Sequence, residues 1–124
     1  MIKKTLILLI AGSSKRFLGK IKKQFVKINN KPLFIYTLDA MLKFKFDNII
    51  IASLKEDLNN IKKIINKNLL NSENIRYVEG GSERVYSVYN AMKFIKENDI
   101  NTDFVFIHDG VRPIVSKKEI KELY

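Results

Sequence analysis

Short apolar runs alternate with amphipathic stretches along this chain. Residues 5–10 (TLILLI) and 48–52 (NIIIA) are nearly continuous apolar runs, the pattern of strands that are buried on both faces of a sheet. Residues 75–78 (IRYV) and 103–107 (DFVFI) are shorter runs of the same kind. The pattern therefore predicts four strands.

Amphipathic stretches follow these strands and predict helices. Pro32 stands where the first helix would begin, and Ser82 is the predicted N-cap of the third. Ser116 followed by Glu119 forms a capping-box pattern after Pro113 and predicts a last helix. Apolar residues recur at helical spacing in three groups: Ile35, Leu38, Met41 and Leu42; Leu58, Ile61, Ile64 and Ile65; Val85, Val88, Met92 and Ile95.

Regular alternation of strand and helix is typical of a parallel sheet wound by right-handed crossovers. We therefore predict an α/β, Rossmann-like three-layer fold with a mainly parallel sheet, formed by residues 1–124 as part of a single domain. A doubly wound domain usually continues beyond the helix that follows its fourth strand. The pattern therefore predicts a truncated domain.

Three of the predicted strands run into unusual polar loops. These are residues 11–16 (AGSSKR), 80–84 (GGSER) and 108–113 (HDGVRP). Ligands of such sheets bind outside the carboxyl ends of the strands. We therefore expect the three loops to form one site.

The first loop has the chemistry of a phosphate site. Gly12 allows the backbone to approach a ligand closely, and Ser13 and Ser14 add hydroxyl donors. Four cations could neutralise a triphosphate, namely Arg16, Lys20, Lys22 and Lys23. The loop has neither the Walker A pattern nor the three spaced glycines of a dinucleotide fingerprint. The alternative to a phosphate site is that these residues form an ordinary surface loop.

The other two loops add a helix start and a carboxylate. Gly80 and Gly81 precede a predicted helix, where free N–H groups could meet a polar ring or an anion. Asp109 follows a buried strand and is a natural Mg²⁺ ligand, although local capping of the turn is the alternative. For His108 we expect a structural role as a hydrogen-bonding residue and not a role in catalysis.

Composition narrows the functional classes. Cysteine is absent and there is one histidine, which excludes thiolate catalysis and argues against a histidine-rich metal centre. The longest apolar run is far shorter than the roughly 20 residues of a membrane span. The net charge of +10 comes mostly from lysines scattered along the chain. We expect a cytoplasmic protein that binds neither membrane nor nucleic acid.

Taken together, the loops resemble the 2-C-methyl-D-erythritol 4-phosphate cytidylyltransferase family. Ala11 and Gly12 with Arg16, then Lys23-Gln24-Phe25, resemble its A-A-G-x-G-x-R-M and P-K-Q-[YF] signatures. Residues 80–88 (GGSERVYSV) are similar to G-G-x-x-R-x-x-S-V, and residues 108–113 to H-D-[AG]-[AV]-R-P. The order and spacing of the motifs match over essentially the whole chain.

The resemblance implies a nucleotide-diphospho-sugar transferase type of fold and CMP transfer from CTP to a polyol phosphate, with Mg²⁺ as cofactor. It implies catalytic roles for Arg16 and Lys23, and polyol-phosphate binding by Asp109 and Arg112, with Asp109 also as the metal ligand. It further implies a homodimer for full-length members. The nucleotide-binding residues it implies are Ala11, Gly12, Ser13, Gly81, Ser82 and Ser87.

Departures from the family pattern leave alternatives open. The proline before the signature lysine is Lys22 here, and the second glycine of the first loop is Ser14. A ribitol-5-phosphate cytidylyltransferase that makes CDP-ribitol shares all three motifs. An inactive or basic nucleic-acid-binding fragment is the alternative from another class. These 124 residues lack the family's second half, so the chain alone is expected to turn over nothing.

Overall fold

A computed structural model describes residues 2–10, 16–17, 21–68, 74–81 and 83–110. The helices are α1 (Leu33–Leu42), α2 (Lys55–Asn68) and α3 (Arg84–Glu97), and a 3₁₀ turn spans Lys23–Phe25. The strands are β1 (Lys4–Leu9), β2 (Arg16–Phe17), β3 (Ile21–Lys22), β4 (Lys27–Ile28), β5 (Lys31–Pro32), β6 (Asn48–Ser53), β7 (Ile75–Glu79) and β8 (Phe104–Asp109). The predicted last helix lies outside the described residues.

The four long strands form one parallel sheet in the order β7-β6-β1-β8. Leu6 of β1 lies in register with Ile49 on one side and Phe106 on the other. The four strands predicted from the apolar runs are therefore confirmed. The short strands form two hairpins beside the sheet, β2 with β3 and β4 with β5.

Helices cover both faces of this sheet, which confirms the three-layer α/β prediction. On one face, the side chains of Leu6, Leu8 and Ile51 pack with α1 and α2. On the other face, Ile7 and Ile50 pack with α3. Consecutive residues of β1 and β6 therefore point into two different cores, which explains their nearly continuous apolar sequence.

The carboxyl end of β8 corrects one prediction. His108 and Asp109 were expected in a loop, but they belong to β8. They lie in register with Leu8 and Leu9 of β1. Pairing with a central strand extends β8 by two polar residues and holds Asp109 on the sheet.

The start and the buried face of α3 correct two more predictions. The N-cap position belongs to Glu83, which has extended backbone and no capping side-chain hydrogen bond. Val85 and Met92 were expected in the core but are 63% and 43% exposed. The residues of α3 that are buried are Ser87, Ala91 and Ile95. These three residues recur every four positions and so share one face of the helix. Because that face packs on the sheet, Val85 and Met92 face outward.

Among the described residues, no helix combines the length and apolarity that a bilayer span requires. The extent of the domain over residues 1–124 stays a prediction.

Candidate functional site

The carboxyl ends of the parallel strands meet along one edge of the sheet. Backbone hydrogen bonds continue the sheet there, beyond the strands themselves. They run from Ile10 N to Ala52 O at 2.8 Å, from Gly80 N to Ser53 O at 2.7 Å, and from Gly110 N to Leu9 O at 2.8 Å. The three polar loops therefore leave from one ordered edge, as the sequence predicted.

An ion pair joins the second and third loops. Arg84, the first residue of α3, donates a hydrogen bond from Nη1 to Oδ1 of Asp109 at the end of β8. The two side chains are 56% and 35% exposed, so the pair orients the carboxylate more than it stabilises the fold. Arg84 was not among the predicted site residues. Its place in the G-G-x-x-R pattern was the available signal.

Ser87 holds the second loop against α3. Its side chain is fully buried, and its Oγ accepts a hydrogen bond from Gly81 N at 3.1 Å. A Cβ at position 81 would lie 2.3 Å from Cβ of Tyr86, far inside van der Waals contact. Gly81 is therefore required by close packing between the loop and the helix. The structure brings together these two predicted nucleotide-binding residues.

Helix α1 supports the start of the third loop. Thr37 is buried and donates from Oγ1 to the carbonyl oxygen of Gly110 at 3.0 Å. A Cβ at position 110 would lie 2.9 Å from Cγ1 of Ile10. Thr37 therefore adds a site-supporting contact that sequence reasoning missed, because nothing in the sequence pairs residues 73 positions apart.

The first loop is described only in part. Arg16 lies in β2 and Lys23 in the 3₁₀ turn, and the description covers their backbone and not their side chains. The remaining predicted residues of the site, namely Ala11, Gly12, Ser13, Ser82 and Arg112, lie outside the described residues. Their predicted roles stay predictions.

Gln24 ties the 3₁₀ turn to the end of β1. Its side chain is 1% exposed, and Nε2 donates to the carbonyl oxygen of Ile10 at 3.1 Å. Within the described part of the chain, its Oε1 is buried without a donor. The next residue, Phe25, packs edge-to-face on Phe34 of α1, with ring centroids 5.9 Å apart. The turn that carries Lys23 is thus attached to both β1 and α1.

Lys22 connects the β2–β3 hairpin to α2. Its Nζ donates to Oδ2 of Asp57 at 2.8 Å and to Oε1 of Glu56 at 3.2 Å. The hydrogen bond with Asp57 raises the pKa of Lys22 above its ordinary value, because it stabilises the charged ammonium. Both acidic residues lie in the first turn of α2, where negative charge is favourable. Sequence reasoning considered Lys22 as a phosphate ligand, whereas the structure gives it two carboxylate partners.

The chemistry of Asp109 fits a magnesium ion. Mg²⁺ in nucleotide enzymes is usually held by one or two carboxylates together with substrate phosphates. Asp109 supplies one such carboxylate at the edge where the loops converge. Among the described residues, no cluster of three or more histidine, cysteine or acidic residues is present.

Comparisons with known proteins point to one family. The sequence profile of the 2-C-methyl-D-erythritol 4-phosphate cytidylyltransferase family matches residues 5–124. The cytidylyltransferase of that name from Fusobacterium nucleatum is 44% identical over 123 residues, which cover 97% of this chain and 51% of that protein. The corresponding Bacillus cytotoxicus protein is 36% identical, with 96% and 51% covered.

Comparison with solved structures points to the same family. The 4-diphosphocytidyl-2C-methyl-D-erythritol synthase of Anaerococcus prevotii superposes with a TM-score of 0.75 at 30% identity, covering 98% of this chain and 48% of that one. The bifunctional IspDF of Campylobacter jejuni gives a TM-score of 0.76 at 32% identity, with 98% and 29% covered. The chain spans about half the length of the curated cytidylyltransferases it matches. This chain belongs to the 2-C-methyl-D-erythritol 4-phosphate cytidylyltransferase family.

Proposed function

We propose that this chain forms the nucleotide-binding half of an enzyme that transfers CMP from CTP to 2-C-methyl-D-erythritol 4-phosphate. A phosphate oxygen of the acceptor attacks the α-phosphorus of CTP. The bond from that phosphorus to the bridging oxygen of the β-phosphate breaks, and pyrophosphate leaves. This reaction is a step in the non-mevalonate synthesis of isoprenoid precursors.

The convergence of the loops carries this proposal. The Arg84–Asp109 pair and the Ser87–Gly81 hydrogen bond bring the second and third loops to one edge of the sheet. Phosphoryl and nucleotidyl transfer need no covalent intermediate with the protein. Catalysis therefore depends on donors and charges that are already in position, as they are here.

The roles of individual residues follow the family motifs. Arg16 and Lys23 hold the triphosphate and offset the charge that develops during attack. Asp109 binds Mg²⁺ and faces the acceptor, whose phosphate Arg112 binds. When bound, the Mg²⁺ ion neutralises phosphate charge and orients the triphosphate. The cytosine is read by Ala11, Gly12, Gly81, Ser82 and Ser87, and Ser13 is a further nucleotide-binding residue.

The full-length enzyme would work as a cytoplasmic homodimer, and its second half would complete the acceptor site. The curated relatives described above carry the erythritol name, so the ribitol alternative is not favoured. Neither nucleic acid nor membrane is a partner in this proposal.

Thermal unfolding with Mg²⁺ and one of CTP, UTP, ATP or GTP tests the nucleotide half of the proposal. A ligand at about 100 times its Kd should stabilise the fold by about 2.7 kcal/mol. We expect CTP to raise Tm selectively. Equal shifts with all four nucleotides, or no shift, would contradict the proposal.

A pyrophosphate-release assay of the full-length protein tests the acceptor. We expect release with CTP and 2-C-methyl-D-erythritol 4-phosphate and only background release with ribitol 5-phosphate. The reverse preference would assign the chain to the ribitol reaction.

A further inference from the structure

The β2–β3 hairpin contains one of the two cations that the proposed reaction needs, and the other follows it directly in the chain. Arg16 of β2 and Lys22 of β3 are Cα partners across this antiparallel pair. Lys23 follows Lys22 directly and opens the 3₁₀ turn. Any contact that fixes Lys22 therefore also fixes the backbone at the two positions assigned to the triphosphate.

Lys22 makes such a contact with the first turn of α2. The side chains of Lys22 and Asp57 are only 12% and 14% exposed, and they meet at 2.8 Å. Glu56 adds a second contact at 3.2 Å but is 71% exposed, so it contributes less. Asp57 is itself part of an ordered turn, because its backbone N–H donates to Leu54 O at 2.9 Å.

Charge explains why this lysine needs partners. Like charges at directly opposite positions destabilise a strand pair, and Arg16 and Lys22 are such a pair. The two carboxylates of α2 offset the charge of Lys22. A proline, which is the signature residue here, would restrict the backbone by covalent means. Lys22 restricts it through α2 instead.

We propose that Lys22 is a positioning residue whose ion pair with Asp57 fixes the β2–β3 hairpin on α2 and thereby places Arg16 and Lys23 for the triphosphate. The nucleotide part of this inference rests on the proposed function. Lys22 acts through its neighbours and does not contact the nucleotide.

Asp57→Asn separates this role from direct phosphate binding. The substitution removes a negative charge, so a Lys22 that binds phosphate would be released and CTP affinity would stay the same or increase. If Lys22 is a positioning residue, CTP binding should instead weaken by about tenfold, because small displacements of charged groups are costly in such sites. Lys22→Met should weaken binding to a similar extent, and Lys22→Arg should retain it.

Asp39→Asn is the matched control. Asp39 pairs with Lys31 at 3.0 Å, and the two side chains are 37% and 38% exposed on another part of the surface. The control changes the net charge by the same amount and also breaks one Lys–Asp pair. It should leave the Kd for CTP within about twofold of the wild type, because no part of the β2–β3 hairpin is involved.

Amide hydrogen exchange gives a readout that does not depend on nucleotide. We expect faster exchange at residues 16–23 in Asp57→Asn and Lys22→Met and wild-type exchange in Asp39→Asn. Unchanged exchange in the first two variants would overturn the inference even if CTP binds. Faster exchange with wild-type CTP affinity would overturn its nucleotide part. A wild-type protein that ignores CTP would refute the proposed function, and exchange would still decide whether Lys22 anchors the hairpin.

Discussion

At the scale of single residues, the site depends on small groups packed closely together. Gly81 lies against Tyr86. The backbone N–H of Gly81 donates to the Oγ of Ser87, whose side chain is buried. Neither residue has unusual chemistry by itself. Their value to the site comes from how closely the loop approaches α3, which makes their loss costly.

Ser87→Ala should lower the free energy of unfolding by about 1–3 kcal/mol, because it leaves the part-buried N–H of Gly81 without its acceptor. Urea unfolding measures this change. CTP-dependent stabilisation should decrease as well, since the second loop loses its anchor.

Asn90→Ala is the matched comparison on the same helix. It removes an exposed hydrogen bond from Nδ2 to Glu79 O at 3.0 Å and should cost only about 0.5 kcal/mol. Equal destabilisation by the two substitutions would show that the burial of Ser87 is not important.

At the scale of elements, the helices hold the loops at the edge of the sheet. Helix α3 contributes Arg84 and Ser87 to the second and third loops. Helix α1 contributes Thr37, whose hydroxyl reaches Gly110 just beyond β8. Helix α2 holds the β2–β3 hairpin through Asp57. Each helix therefore both covers the sheet and contacts a loop or hairpin beside it.

Thr37→Val should destabilise the fold and also weaken CTP binding. Valine keeps the shape of threonine but removes the donor to the buried Gly110 carbonyl, at a cost of about 1–3 kcal/mol. Urea unfolding and CTP titration measure the two effects.

Thr5→Val provides the control at the opposite end of the sheet. Thr5 is also buried, and its Oγ1 donates to Thr102 Oγ1 at 2.9 Å. We expect this variant to lose stability but keep the wild-type Kd for CTP. If both variants weaken CTP binding equally, the contact with Gly110 has no particular importance for the site.

At the scale of the whole molecule, β7 and β8 are the two edges of the sheet that the described residues form, and these edges differ. The β7 edge carries the charged residues Arg76 and Glu79, as protected edges commonly do. The β8 edge is apolar from Phe104 to Ile107, and these two end residues are 46% and 41% exposed. An apolar edge of this kind favours pairing between molecules.

Ile107→Lys should therefore reduce self-association of this chain, because it places a charge on the apolar β8 strand. Light scattering over a range of protein concentrations measures the effect. Ile28→Lys, at another exposed isoleucine that is 51% exposed and outside the main sheet, should leave self-association unchanged. An equal decrease in both variants would point to net charge and not to the edge.

The sequence alone determined the class of fold and predicted the edge of the sheet where a ligand would bind. Runs such as residues 5–10 and 48–52 are apolar at every position because both faces of their strands are buried, and that constraint can be read without coordinates. The motifs in the three loops likewise identified the family, and candidate residues such as Gly81, Ser87 and Asp109 lie at the predicted edge.

Only the tertiary structure decided which side chains support that edge. Thr37, Gln24 and Asp57 contact partners that are 73, 14 and 35 positions away in the chain, so no local pattern could pair them. The same reason explains the errors in α3: its buried face depends on how the helix is rotated against the sheet, and apolar spacing admits more than one rotation. The residue types in the loops predicted which chemistry the site could support. Long-range packing decided which other residues hold those loops in place.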